Sequence, residues 1–390
     1  MKKNKIFIYG GGALGLFLIV FLLIQMKTPG NLTASQSRLF VEDTSSVTFW
    51  VTGDAMMHMP QYSAAMNPEK GVPEFDSCYT FIRPILKEAD VRIVNFETTL
   101  AGPKYSGYPR FSAPNVYADA IVRAGFNFFV FANNHSCDRG AKGFEGNLSF
   151  ADSAGIWHTG TFRNQTERDE LYPLIFEVNG WKLAMLNATY GTNKIDAPDP
   201  YIVNYIDTNE IKDDIAKAKA QNVDAILMAI HWGAEYQHKP NIHQKNIADF
   251  LLREGVDVVM GSHPHIVQPI EMRNTKGSGS FKDRLVIWSL GNFISNQKDP
   301  YTDAGLMIGF TLKKSRYGRP EIADIKYVPF YRYKNIKKRP GYYLMPGIFT
   351  EQNLDKLIPG EEDQEDFISV MKNTRSKMPV DPRISEYGAE

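Results

Sequence analysis

The sequence predicts an α/β domain with a mixed sheet, or with two packed sheets. Three observations carry this expectation. Strand-like and helix-like segments first alternate in the order β-α-β-α-β. Solidly apolar runs, such as residues 126–131, suit strands buried on both faces. Later runs follow one another without intervening helices, which argues against a simple parallel sheet. The 390 residues suffice for a large single domain or two small ones.

The N-terminus departs from this pattern. Lys2, Lys3 and Lys5 precede an uncharged apolar run over residues 6–24, about the length needed to cross a bilayer as a helix. Positive charge ahead of it favours a cytoplasmic N-terminus with the remainder outside. A cleaved signal peptide is the rival reading. The run continues through Leu23 and Ile24 with no small-residue cleavage site after it, which favours an uncleaved anchor. Residues 1–27 are thus expected to be a single-pass signal anchor, and the polar residues 28–45 a tether.

The folded domain is expected over residues 46–335. Residues 46–52 alternate as a strand and end at Gly53-Asp54. Residues 77–88 predict a helix, and 91–94 a strand entering Asn95-Phe96-Glu97. A helix is expected over 115–124, with Pro114 suited to its start. The apolar run 126–131 enters Asn133-Asn134-His135. Runs at 174–178 and 182–186 flank Asn179-Gly180, a strong hairpin signal. A helix at 210–220 precedes a buried strand over 223–230 that ends at His231. Another helix, 242–253, precedes the strand 256–260, and residues 285–289 form the next strand. Runs at 306–312 and 322–333 are expected to be antiparallel. Residues 336–390 form a C-terminal extension. Its acidic run, 360–366, is expected on a solvated surface, and its end to be poorly ordered.

Composition excludes some functions. Forty-four basic residues balance 44 acidic ones and no basic stripe is visible, so nothing suggests a nucleic-acid partner. Cys78 and Cys137 are the only cysteines. Outside the cytoplasm they could pair, but they are too few for a disulfide framework; two unpaired, partly buried thiols remain the alternative.

The chemistry gathers in loops after strands, where an α/β fold places its ligands. Asp54 and Glu97 supply hard carboxylate oxygens after two different strands. Alone, either is readily explained as a turn or capping residue. Asn134 offers a neutral carbonyl oxygen, and His135 beside it can act as acid or base. Asp138 can orient His135. His231 leaves a very apolar strand, where packing explains it poorly. His263-Pro264-His265 is the sharpest signal, because side chains i and i+2 of an extended segment share a face. Carboxylates, an amide and imidazoles together suit a divalent transition metal. His58, His158, His238 and His243 are harder to place, although His58 lies close enough to Asp54 to reach the site.

The ordered blocks resemble a known family. They are Gly53-Asp54-Ala55-Met56-Met57, Asn95-Phe96-Glu97, Ala132-Asn133-Asn134-His135 continuing to Gly140, His231-Trp232-Gly233-Ala234-Glu235-Tyr236, Gly261-Ser262-His263-Pro264-His265 continuing to Gln268, and Ser289-Leu290-Gly291-Asn292-Phe293. This series is similar to the capsule-synthesis CapA family, also described as poly-γ-glutamate biosynthesis proteins, within the calcineurin-like metallophosphoesterase superfamily. The resemblance implies a four-layer α/β/β/α sandwich. It also implies a divalent metal (Mn, Fe or Zn) held by Asp54, Glu97, Asn134, His231, His263 and His265, with His135 protonating a leaving group or gripping phosphate and Asp138 supporting it. The superfamily's first block is usually Asp-x-His, whereas position 56 is Met. One metal loses an imidazole unless His58 substitutes. The implied protein is a metal-dependent hydrolase on the outer side of the membrane, acting on a capsule polymer or exopolymer, with membrane synthase or export proteins as partners. A non-catalytic polymer-binding or assembly subunit is the other expectation.

Overall fold

The computed structural model describes residues 45–274, 280–314, 319–335 and 341–389. The expected anchor at 1–27 lies outside the described residues, as does the 28–45 tether apart from Ser45. Among the described residues no helix is long and apolar enough to cross a membrane.

Two large sheets organise the domain. In chain order, the first contains β1 (Ser45–Ala55), β2 (Val91–Phe96), β3 (Phe128–Val130) and β4 (Trp157–Thr159) as parallel neighbours. The second begins with β5 (Leu174–Val178) and β6 (Trp181–Thr189), joined at Asn179-Gly180, where both residues adopt positive φ. That conformation matches the twist of a two-residue hairpin. It continues with β7 (Ala225–His231), β8 (Val258–Ser262), β9 (Ile270–Asn274) and β10 (Asp283–Ile287) in the spatial order β9-β10-β8-β7-β6-β5. The chain then returns to the first sheet through β11 (Asn292–Ile294), which pairs in parallel with β1. The antiparallel strands β12 (Ala304–Lys314), β13 (Glu321–Asn335) and β14 (Gly341–Pro346) extend that sheet beyond β1. The sheets are mixed, as expected.

Alternation along the strands explains the layering. Val47, Phe49 and Val51 of β1 face one core, whereas Trp50 and Ala55 face another. The first set meets Leu183, Met185, Leu227 and Met260 of the second sheet. The second set meets Tyr117, Ala118 and Ile121 of helix α1 (Asn115–Ala124) and Leu148 and Ala151 of α2 (Gly140–Ala154). On the far side, Ala184, Leu186, Ile226 and Met228 meet α3 (Thr208–Ala220) and α4 (Ile242–Glu254). The order is helices, sheet, sheet, helices. Strands buried on both faces must be apolar throughout, which accounts for the solid runs in β3 and β7.

The structure corrects the sequence at three places. The helix expected over 77–88 is broken into a 3-10 turn, Asp76–Tyr79, and a short helix, Arg83–Leu86. Pro84 lacks the N–H that would continue the ladder. Helix α2 was not anticipated; it carries three glycines, Gly140, Gly143 and Gly146. They allow close approach: a Cβ on Gly146 would lie 1.7 Å from the Leu100 carbonyl oxygen. Finally, the C-terminal segment is ordered. The acidic run opens helix α5 (Glu361–Arg375), with Glu361, Glu362 and Asp363 in the first turn, where the helix dipole favours negative charge. Its other face buries Phe367, Val370 and Met371 against Tyr331 and Tyr333 of β13. A last strand, β15 (Ile384–Glu386), pairs with β13.

Phe367→Ala is therefore expected to destabilise the protein by about 3–5 kcal/mol. Urea unfolding should show a lowered midpoint at unchanged slope. No shift would mean that α5 contributes nothing to the fold.

Candidate metal centre

The carboxyl ends of β1, β2, β3, β7 and β8 point to one place, so residues far apart in sequence meet there. Asp54, at a bulge in β1, lies beside Asn95 of β2 on one side and Asn292 of β11 on the other. Both Asp54 and Glu97 are 0% exposed. Asn95 donates from Nδ2 to Asp54 Oδ1 at 2.7 Å and to Glu97 Oε2 at 3.2 Å. The His263 N–H lies 3.2 Å from Asp54 Oδ2, and His265 Nδ1 is 3.2 Å from that same oxygen. His265 Nδ1 is also 3.1 Å from Asn292 Oδ1. His231 Nε2 sits 3.0 Å from Asn134 Oδ1 and 3.8 Å from Glu97 Oε1, while its Nδ1 meets Ser262 Oγ at 2.9 Å.

All six sequence-proposed ligands thus converge. Asp54, Glu97 and His265 each offer a ligand atom within 4.8 Å of the others, and Glu235, His263 and His265 form a second such group. The two groups share His265. The extended-segment argument for His263 and His265 is corrected: φ is +97° and +61°, so the loop is coiled rather than a strand. Positive φ costs about 1–3 kcal/mol at a non-glycine residue and is held only where surrounding structure enforces it. The rings nevertheless come close, with centroids 5.8 Å apart.

Burial sets the electrostatics. It pushes the Glu97 carboxyl well above the usual carboxylate range, and the Asp54 charge adds to this. Burial also pushes His231 and His263 well below the usual imidazole range, helped by the neighbouring imidazoles. Neutral imidazoles are the form that binds metal. Glu97 Oε1 and His263 Nδ1 are buried without a hydrogen-bond partner. Buried polar atoms are nearly always satisfied. A cation among carboxylate, carboxamide and imidazole donors would satisfy both, so the residues fit a divalent metal.

His135 and Asp138 form an adjoining pair. His135 Nδ1 is 2.7 Å from Asp138 Oδ2, which also accepts the Phe111 N–H at 2.6 Å. Both are buried, and Phe111 packs edge-on against the imidazole with centroids 4.6 Å apart.

His58 belongs to neither three-residue ligand group. Its Nδ1 accepts the Asn296 N–H at 3.3 Å, and its backbone N–H is bound by Gln61 at the start of a short helix, Met59–Ala65. Burial lowers its pKa to about 4. Met56 itself is buried, and its carbonyl accepts from Gln61 and Tyr117. Cys78 and Cys137 are free and buried, which raises their thiols to about 12 and about 11.

Several contributors escaped the sequence reading. Asn95 and Asn292 stood inside quoted blocks, but their hub roles follow only from strand pairing. Tyr190, whose ring centroid is 4.4 Å from that of His263, carried no signal beyond following a strand.

Fold and site together define an α/β/β/α protein whose strand ends form a candidate divalent-metal centre. The chain belongs to the bacterial capsule synthesis protein PGA_cap family, whose model matches residues 48–297. It is 26% identical over 315 residues to the PGA biosynthesis protein CapA of Bacillus subtilis (strain 168), covering 79% of this chain and 78% of that one. To the capsule biosynthesis protein CapA of Bacillus anthracis it is 26% identical over 334 residues, covering 80% and 74%. A solved structure similar to it is the calcineurin-like phosphoesterase YfkN from Bacillus subtilis, with TM-score 0.44 and 14% identity over 85% of this chain and 98% of that one.

Adding a divalent transition metal to metal-stripped protein is expected to raise stability by about 2.7 kcal/mol at a hundredfold excess over Kd. Calorimetric melting should show most of this shift lost in His263→Ala but kept in His58→Ala. Equal loss in both would place the ion elsewhere.

Proposed function

We propose that this chain is a membrane-anchored, extracytoplasmic, metal-dependent hydrolase of capsule or poly-γ-glutamate production. The observation that carries the reading is the convergence of Asp54, Glu97, Asn134, His231, His263 and His265 around orphaned buried atoms. The metal is Mn, Fe or Zn, since imidazole with carboxylate donors suits all three. A phosphoester is the superfamily-like target and an amide of a glutamate polymer the alternative.

A bound divalent cation supplies polarisation of the attacked group and an acidified water. The protein's own part is positional and protonic. Asn95 keeps both carboxylates turned inward through its amide. Ser262 holds the His231 ring through Nδ1, which leaves Nε2 beside Asn134 Oδ1 for the ion. Asp138 fixes the His135 ring through Nδ1, leaving Nε2 to carry the proton for the leaving group.

A second reading is favoured by Met56. With a buried thioether in the first block and His58 outside both ligand groups, the site has one imidazole fewer than a full two-metal centre. A non-catalytic polymer-binding or assembly subunit of an export complex is consistent with that loss.

Full-length protein in detergent, loaded with metal, separates these readings when assayed on phosphomonoesters, phosphodiesters and poly-γ-glutamate. The enzyme reading expects turnover that falls roughly 10²–10⁴-fold in His135→Ala, with the metal-dependent melting shift retained. A stable, metal-free chain that binds polymer without turning it over would sink it. For the anchor, the protein is expected in the membrane fraction after alkaline extraction, and deletion of residues 1–27 should release it. Release of the intact chain by that extraction contradicts the anchor.

A further inference from the structure

Beside the His135–Asp138 pair lies a cleft of about 460 Å³ that none of the proposed metal ligands lines. Asp138 forms part of its wall, so it adjoins the candidate centre. Two segments far apart in sequence build the rest: a loop carrying Lys104, Arg110 and Ser112, and the turn into α2 carrying Arg139, Gly140 and Lys142. Arg139 ties them together, its Nη2 lying 2.9 Å from the Lys104 carbonyl oxygen and 3.1 Å from Ser106 Oγ.

The charge of this cleft is one-sided. Lys104, Arg110, Arg139 and Lys142 line it, and Asp138 is its only acid. Among the described residues, no carboxylate lies within ion-pairing distance of any of the four cations. The 15-residue helix α2 adds to this. Its first turn has no side-chain cap and no acidic residue, and such ends attract anions.

The wall also encloses two unpartnered polar atoms, Ser112 Oγ and Asp138 Oδ1, in residues 1% and 3% exposed. Four cations without counter-ions call for an anionic ligand, and a chain that carries carboxylates along an amide backbone supplies repeated anions.

We propose that this cleft is a binding subsite for an acidic polyamide, seating carboxylates on Lys104, Arg110, Lys142 and the α2 N-terminus. Arg139 braces the wall, and the chain runs from there towards His135. This rests on the capsule-polymer reading above and adds to it the place where the polymer docks.

The test uses metal-loaded, full-length protein in detergent and labelled poly-γ-glutamate, polyphosphate and dextran, with binding followed by fluorescence anisotropy. Poly-γ-glutamate is expected to bind, and to bind more weakly as salt rises. The combined variant Lys104→Gln, Arg110→Gln, Lys142→Gln should weaken it roughly tenfold or more, as the loss of several exposed ion pairs implies. A control variant, Lys212→Gln with Lys245→Gln, removes cations outside the cleft and should bind as the parent does. Equal weakening in the control, no effect of the cleft variant, or polyphosphate or dextran binding as tightly as poly-γ-glutamate overturns the proposal. The metal-dependent melting shift is read on the same samples. Loss of polymer binding with that shift intact assigns the cleft independently of the metal centre, and absence of turnover leaves the binding result standing.

Discussion

Two carboxylates buried without a lysine or arginine partner govern the architecture of this molecule. Asp54 and Glu97 are wholly inaccessible, and among the described residues their ion-pair partners are histidines alone. Isolated buried charge is very unfavourable. The surrounding structure is arranged to make it tolerable. One amide, from Asn95, donates to both carboxylates, and the His263 N–H donates to Asp54. The bulge in β1 turns Asp54 towards its neighbours, and the coiled His263–His265 loop holds positive φ to present its donors. Each of these devices sits at a strand end, where backbone irregularity disturbs the sheets least.

Much of this was legible in the sequence because burial on both faces leaves a plain mark. The apolar runs before Asn133 and at Ala225–His231, and the Asn179-Gly180 turn, each have one ready structural solution. Loop residues after such strands meet in space at the strand ends. The misreadings share a physical cause, which is that local pattern does not report tertiary contact. Helix α2 went unpredicted, and its sequence does not report the Leu100 backbone that Gly146 meets. The acidic start of α5 is on the surface, as expected, but the order of the segment behind it depends on Phe367 packing on β13, which no local pattern reports. His58 seemed available only because the Asn296 N–H that occupies it is 238 residues away.

The basic cleft shows the same limit from another side. The chain as a whole has no net charge, and its cations read as evenly scattered. Folding brings a loop near residue 104 against the turn near residue 140 and leaves their four cations without counter-ions. Electrostatic character therefore belongs to surfaces and not to composition. A neutral protein can still present a strongly charged site, provided that its acids are spent elsewhere, as Asp76, Glu145 and Asp152 are on neighbouring arginines.

The wide sequence separation of the metal-centre residues bears on how the protein matures. His265 and Asp54 are 211 residues apart; Asp54 lies in β1 of the first sheet and His265 in the loop after β8 of the second. Such contacts carry a large loop-closure entropy and form late. No segment shorter than residues 54–265 contains the full set of donors, and neither sheet alone presents them. Ion capture cannot then nucleate folding, as it does in small zinc domains. Capture at this site would follow docking of the two sheets, and would so report on that docking.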